Sequence, residues 1–112
     1  MSGTAAQKIC AEVGKEIAKL HSGNIIHGDL TTNNILLHNN VLVFLDFSLG
    51  FISSKLEDFA ADLLAFKKTF MATHYRHEVA WKALEKAYIG QFPIGRDILE
   101  HIKSIERRAR YY

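Results

Sequence analysis

Between Ile25 and Phe47 the sequence reads IIHGDLTTNNILLHNNVLVFLDF, and two short apolar runs within it, Ile35 to Leu37 and Val41 to Leu45, flank His38, Asn39 and Asn40. The runs are β-branched and leucine-rich, and the residues between them tolerate a tight turn, so the stretch predicts a β-hairpin. A hairpin sets the start of its first strand beside the end of its second. Asn34 and Asp46 are therefore predicted at the same end, in a chain whose remaining segments have helical period.

Before the hairpin, Ile9, Val13, Ile17 and Leu20 recur at three- and four-residue spacing and predict a helix over about residues 4 to 22, with Gly23 as its left-handed terminator. Residues 48 to 56, SLGFISSKL, have small residues and no period, as a loop would. From Glu57 onward Ala60, Leu63, Leu64, Ala65 and Phe70 line one helical face, and Val79, Ala80, Trp81, Leu84, Ala87 and Tyr88 another. Residues 89 to 95, with the only proline, Pro93, predict a connector, and Ile94, Ile98, Leu99, Ile102 and Ile105 the stripe of a last helix. The expected fold class is α+β, mostly α: helix, loop, small hairpin, three helices. At 112 residues the chain is expected to form one domain over 1–112, with a basic tail from about residue 104.

No apolar run is long enough to cross a bilayer, and MSGTAAQKIC lacks the apolar block of a signal peptide, so a soluble, cytoplasmic or nuclear protein without membrane contact is expected. Cys10 is the only cysteine; it has no partner for an internal disulfide and sits at an apolar helix position. The formal net charge of +2 lies entirely within residues 96 to 112, which carry Arg96, Lys103, Arg107, Arg108 and Arg110 against Asp97, Glu100 and Glu106.

His27, Asp29 and Asn34 are spaced H-x-D-x-x-x-x-N, and Asp46-Phe47 follows one hairpin later. Any one of these residues alone would read as turn chemistry, an Asp or Asn bonding its own backbone. Together they match a phosphoryl-transfer loop and its metal-binding aspartate. The chemistry needs a carboxylate to orient the attacking hydroxyl, which Asp29 can supply. It also needs hard oxygen ligands to hold Mg2+ against nucleotide phosphates, which Asn34 and Asp46 can supply. His27, beside Ile25 and Ile26, reads as a packed residue that braces the loop rather than a catalyst.

The blocks HGDLTTNNILL, LDFSLGFIS, EDFAADLLAFKKTF with THY, and SIERRARYY resemble, in order over residues 9 to 110, the atypical RIO-like protein kinases, most closely the small kinase subunits of the KEOPS (EKC) complex. The resemblance implies the C-terminal lobe of a protein kinase. It implies ATP and Mg2+ as cofactors, with serine/threonine phosphorylation or ATP hydrolysis supporting threonylcarbamoyl-adenosine formation on tRNA. Asp29 matches the catalytic aspartate, Asn34 the metal-binding asparagine and Asp46 the metal-binding aspartate. Asp62 resembles the aspartate that ties the catalytic loop down; as a helix residue it reads equally as an exposed charge. The implied partners are the complex's ATPase-fold tRNA threonylcarbamoyltransferase, its other subunits and tRNA, with Arg107, Arg108 and Arg110 as contacts.

The sequence departs from the family pattern at Ser48, where the Asp-Phe-Gly glycine is expected, while Gly50 follows two residues later. Gly28 replaces the arginine of ordinary kinases, removing the cation that would pair with a phosphorylated activation loop. No Ala-Pro-Glu follows Ser48, so a broad peptide groove is not expected. Neither a G-x-G-x-x-G nor a G-x-x-x-x-G-K-[ST] motif occurs, and Lys8, Lys15 and Lys19 lie on a helix, so the N-terminal lobe is expected to be absent. Two other functions stay open. One is a non-catalytic kinase-lobe scaffold that docks a partner. The other is a small-molecule phosphotransferase of the aminoglycoside or choline type, against which Thr31-Thr32, DFSLGFIS and the basic C-terminus argue.

Overall fold

The computed structural model describes residues 3–73 and 78–109. Helix α1 spans Gly3–Ser22, β1 Ile25–Ile26, β2 Ile35–His38, β3 Val41–Phe44 and β4 Phe51–Ile52, followed by α2 Leu56–Thr73, α3 Glu78–Gln91 and α4 Gly95–Ala109. This is a mostly helical layout with a kinase-like C-terminal lobe's order of elements. Arg110 and the His74-Tyr75 part of the THY block lie outside the described residues.

The apolar stripe of α1 is centred on Cys10, Val13, Ile17 and His21, all buried, while Ile9 and Leu20 sit at its margin. It packs chiefly on α3. A Cβ on Gly14 would meet the Leu84 carbonyl oxygen at 2.4 Å, so glycine is what lets the two helices cross this closely. Phe59, Leu63, Leu84, Tyr88, Ile98 and Ile102 complete the core. Acidic residues open α2 (Glu57, Asp58) and α4 (Asp97), and Arg107 and Arg108 close α4, the polarity a helix dipole favours.

β2 and β3 pair antiparallel with Ile35 opposite Phe44 and His38 opposite Val41. Their two-residue turn puts Asn39 (φ 49°) and Asn40 (φ 61°) in the left-handed region, as a type I′ turn requires. Four expectations are corrected. The left-handed residue after α1 is Asn24 (φ 63°) rather than Gly23, whose amide instead bonds the Lys19 and Leu20 carbonyls. The stretch 48 to 56 is not all loop: Phe51–Ile52 pairs with Ile25–Ile26 as a second small antiparallel sheet. α3 runs through residues 89 to 91, leaving only Phe92 to Ile94 as connector, because its amides keep helical partners up to Phe92, which bonds the Tyr88 carbonyl. Val79 is 64% exposed, off the buried face of α3.

Candidate active site

The loop between β1 and β2 is held from below by α2. The Asp62 side chain, only 4% exposed as a residue, accepts the His27 amide at Oδ2 (3.0 Å) and the Gly28 amide at Oδ1 (3.1 Å). Two helical turns later on the same face, Thr69 Oγ1 accepts the Thr32 amide at 3.1 Å. Asp62 is therefore not an exposed helix charge.

Asp62 Oδ2 also receives His21 Nε2 at 2.8 Å, and His21 Nδ1 lies 2.6 Å from the Tyr88 hydroxyl. A carboxylate only accepts, so Nε2 is the donor, and in that tautomer Nδ1 accepts from Tyr88. Burial, reinforced by the nearby Asp62 carboxylate, raises the Tyr88 pKa far above its usual value and keeps the hydroxyl a donor. One buried chain of hydrogen bonds thus joins α3, α1, α2 and the loop. Sequence reasoning missed His21, Tyr88 and Thr69 as supports of the loop. The available signal for His21 was its place four residues after Ile17 in the apolar stripe of α1.

His27 is fully buried. Its Nε2 donates to the Leu45 carbonyl (2.7 Å) and its Nδ1 accepts the Asp29 amide (3.1 Å), which fixes the ring proton on Nε2. The ring also lies 4.4 Å from that of Phe47, centroid to centroid. One imidazole therefore touches both the Asp29 loop and the strand end that leads into Asp46.

Asn34 Nδ2 donates to the Asp29 carbonyl (2.9 Å) and to Asp29 Oδ2 (3.1 Å). The Leu45 amide bonds the Asn34 carbonyl at 2.8 Å, extending the hairpin register so that Asp46 emerges next to Asn34. Asn34, bonded to Asp29, and Asp46 thereby lie at the same end of the hairpin, the mouth of the candidate site. Asp46 has φ 56°, a left-handed backbone that costs a non-glycine residue about 1–3 kcal/mol and is concentrated at functional positions. Its Oδ1 accepts the Ser48 hydroxyl at 2.6 Å and the Ser48 amide at 3.4 Å. First the hydroxyl and then the amide hold the Asp46 carboxyl below its ordinary pKa.

Gly28 has φ 89°, and a Cβ there would meet the Leu49 carbonyl oxygen at 2.1 Å. The β1–β4 pairing and the bond from the Ser53 amide to the Asn24 carbonyl draw residues 47 to 53 against the loop, so position 28 is closed to any side chain.

Among the described residues no group of three or more His, Cys, Asp or Glu side chains is placed to hold a metal alone. Asn34 uses its amide nitrogen toward Asp29, leaving its oxygen to ligate, and Asp46 has Oδ2 outside its bonds to Ser48. Two hard oxygens at an exposed mouth fit Mg2+, which keeps several waters and completes its shell with phosphate oxygens.

The profile of the lipopolysaccharide kinase (Kdo/WaaP) family matches residues 1–88. The chain belongs to that family. Among its relatives, a probable bifunctional tRNA threonylcarbamoyladenosine biosynthesis protein of Methanosarcina acetivorans is 39% identical over 104 residues, covering 93% of this chain and 19% of the relative. The protein of the same description in Methanothermobacter thermautotrophicus is 40% identical over 105 residues, again 93% of this chain and 19% of the relative. The KEOPS complex subunit Bud32 of Pyrococcus abyssi is 41% identical over 108 residues, 93% of this chain and 49% of the relative. The chain thus spans about half of the Pyrococcus subunit and about a fifth of the bifunctional proteins. This kinase family accounts for the elements around the mouth: the matched region runs from α1 through the loop, hairpin and α2 into α3. Among the described residues no helix is long and apolar enough to cross a membrane.

Proposed function

We propose that the chain is the Asp29-bearing half of an ATP-dependent serine/threonine kinase or ATPase that serves a KEOPS-type assembly in tRNA threonylcarbamoyladenosine formation. The observation that carries this reading is the Asn34–Asp29 bond, beside which the hairpin register delivers Asp46. Asp29 would orient the attacking hydroxyl, and Asn34 and Asp46 would hold Mg2+, whose charge offsets that of the nucleotide phosphates. His27 and Asp62 set the loop's shape without touching the nucleotide. The relatives' names supply the wider setting: the Pyrococcus relative is a KEOPS subunit and the methanogen relatives act in threonylcarbamoyladenosine biosynthesis. The proposed partners are accordingly the other KEOPS subunits, the ATPase-fold tRNA threonylcarbamoyltransferase first among them, and tRNA, with Arg107 and Arg108 exposed at the end of α4 as contacts.

The test is an NMR titration of the 15N-labelled 112-residue chain with MgATP. Shifts should centre on residues 28 to 34 and 45 to 48. Asp46→Ala should remove their Mg2+ dependence, while Asp29→Ala should leave nucleotide binding in place. Turnover by the chain alone should stay near background, because no glycine-rich loop is present to clamp the phosphates. Absence of site-centred shifts at millimolar MgATP, or identical behaviour of the two variants, would refute the assignments.

A further inference from the structure

Tyr88 lies on α3, away from the loop, yet its hydroxyl ends the chain of hydrogen bonds on which the loop hangs. The hydroxyl is 2.6 Å from His21 Nδ1, and His21 Nε2 reaches Asp62 Oδ2 at 2.8 Å. Tyr88 and His21 are both fully buried, and Phe59 and Phe92 wall the imidazole at ring-centroid distances of 5.0 and 6.4 Å. Among the described residues no other donor bonds His21 Nδ1, and solvent does not reach the ring to replace it.

A neutral imidazole carries its proton on one nitrogen, and the Tyr88 hydroxyl decides which. With Nδ1 engaged as an acceptor the proton sits on Nε2 and faces Asp62. The other tautomer would set a bare Nε2 lone pair 2.8 Å from a carboxylate oxygen. That oxygen also takes the His27 amide at 3.0 Å, while Oδ1 takes the Gly28 amide at 3.1 Å. His27 Nδ1 in turn accepts the Asp29 amide at 3.1 Å.

We propose that Tyr88 is a positioning residue for the Asp29 loop: its hydroxyl locks His21 as a donor to Asp62, and the fixed carboxylate sets the two amides from which Asp29 and Asn34 are aimed. The inference rests on the reading of Asp29 and Asn34 given above and extends it to a residue that touches neither. Tyr88 is itself held by α4. Gly95 opens that helix, and a Cβ there would lie 2.8 Å from Cδ2 and 2.9 Å from Cε2 of the Tyr88 ring. The Gly95 backbone is outside the left-handed region, so the ring rather than the conformation excludes a side chain. The seat of α4 thus fixes the ring, and the ring fixes the hydroxyl.

The experiment compares the 15N-labelled 112-residue chain with Tyr88→Phe, Gly95→Ala and Ile102→Val, the last a buried change in the same core that leaves every bond of the chain in place. Spectra are recorded under native conditions, where each variant is folded and a loss of stability alone moves no resonance. In Tyr88→Phe the His21 Nδ1 resonance should move toward that of an unbonded imidazole nitrogen, and the Asn34 side-chain NH2 pair should shift. The amides of residues 27 and 28 should exchange about tenfold faster and MgATP should bind about fivefold more weakly, the worth of one hydrogen bond. Gly95→Ala, which keeps the hydroxyl but displaces the ring, should move the same signals, and Ile102→Val should move none. Loop signals or MgATP affinity unchanged in Tyr88→Phe, or changed as much in Ile102→Val, would overturn the role of Tyr88. A response to Tyr88→Phe with none to Gly95→Ala would overturn the part assigned to α4. Absence of site-centred MgATP shifts in the wild-type chain would overturn the reading of Asp29 and Asn34 and the inference with it, even where the His21 resonance responds.

Discussion

Asp62→Asn removes one formal charge and changes almost nothing in shape, yet it strikes the point where three donors meet. The carboxylate accepts from the His27 amide and His21 Nε2 at one oxygen and from the Gly28 amide at the other. An asparagine placed to serve the first two must turn its NH2 toward the Gly28 N–H, which lies 3.1 Å from the oxygen it replaces. One orphaned donor costs about 1–3 kcal/mol, and losing the charge from the two remaining bonds costs about 1 kcal/mol each, a total of about 3–5 kcal/mol. A domain of this size has about 5–15 kcal/mol in all. With a urea slope of about 1–3 kcal/mol/M, the unfolding midpoint should fall by roughly 1–5 M. Urea titration followed by far-UV circular dichroism measures it, with Glu100→Gln, whose ion pair with Lys103 is exposed, as a control that should not move. Native-state hydrogen exchange should show the loss concentrated at the amides of residues 27 and 28. A midpoint equal to wild type, or faster exchange spread evenly with no focus on these amides, would refute the reasoning.

Burial pushes the Cys10 thiol from its ordinary 9.0 up to about 11. A raised folded-state value means the native chain holds this proton more tightly, so the contribution to stability is full below about pH 9 and is lost as pH rises toward 11. At pH 8 the native thiol should carry about a hundredfold less thiolate than the unfolded one, and iodoacetamide should alkylate it correspondingly slowly; equal rates with and without urea would contradict this. At the other end of the chain, Arg107→Ser with Arg108→Ser should leave the unfolding midpoint in place and weaken tRNA or partner binding at least about tenfold, with a reduced salt slope for tRNA. Calorimetry showing unchanged affinity for both would reduce the arginines to a helix end. Truncation is a poorer test, because Ile105 packs on the core and Glu106 holds Lys67 at 3.1 Å.

The parts of this fold that were legible in the sequence are those whose cause is local. Period alone places the four helices, and Asn39-Asn40 between apolar runs places the hairpin and with it the nearness of Asn34 and Asp46. The β1–β4 pair was not legible, since two residues per strand give no alternation to read and the partners are 27 and 25 residues apart. Asp62 shows the limit most clearly. An aspartate on a helix has the same local appearance whether it faces water or three donors, and its donors come from positions 21, 27 and 28. The same holds for Tyr88, whose hydroxyl meets His21 across 67 residues of chain. Such pairings belong to the tertiary fold, and no residue type at either end announces them.

The contact between position 28 and the Leu49 carbonyl has an evolutionary consequence. In ordinary kinases the corresponding arginine reads phosphate on a neighbouring loop, which makes activity conditional on a modification. Here any side chain at 28 begins with a Cβ 2.1 Å from a backbone oxygen, so the strand-tethered segment would first have to withdraw by roughly 1.5 Å to reach ordinary contact distance. Acquiring that form of control is therefore not one substitution away. It requires a change in the path of the chain after Asp46 together with the change at 28, and neither step is of use without the other.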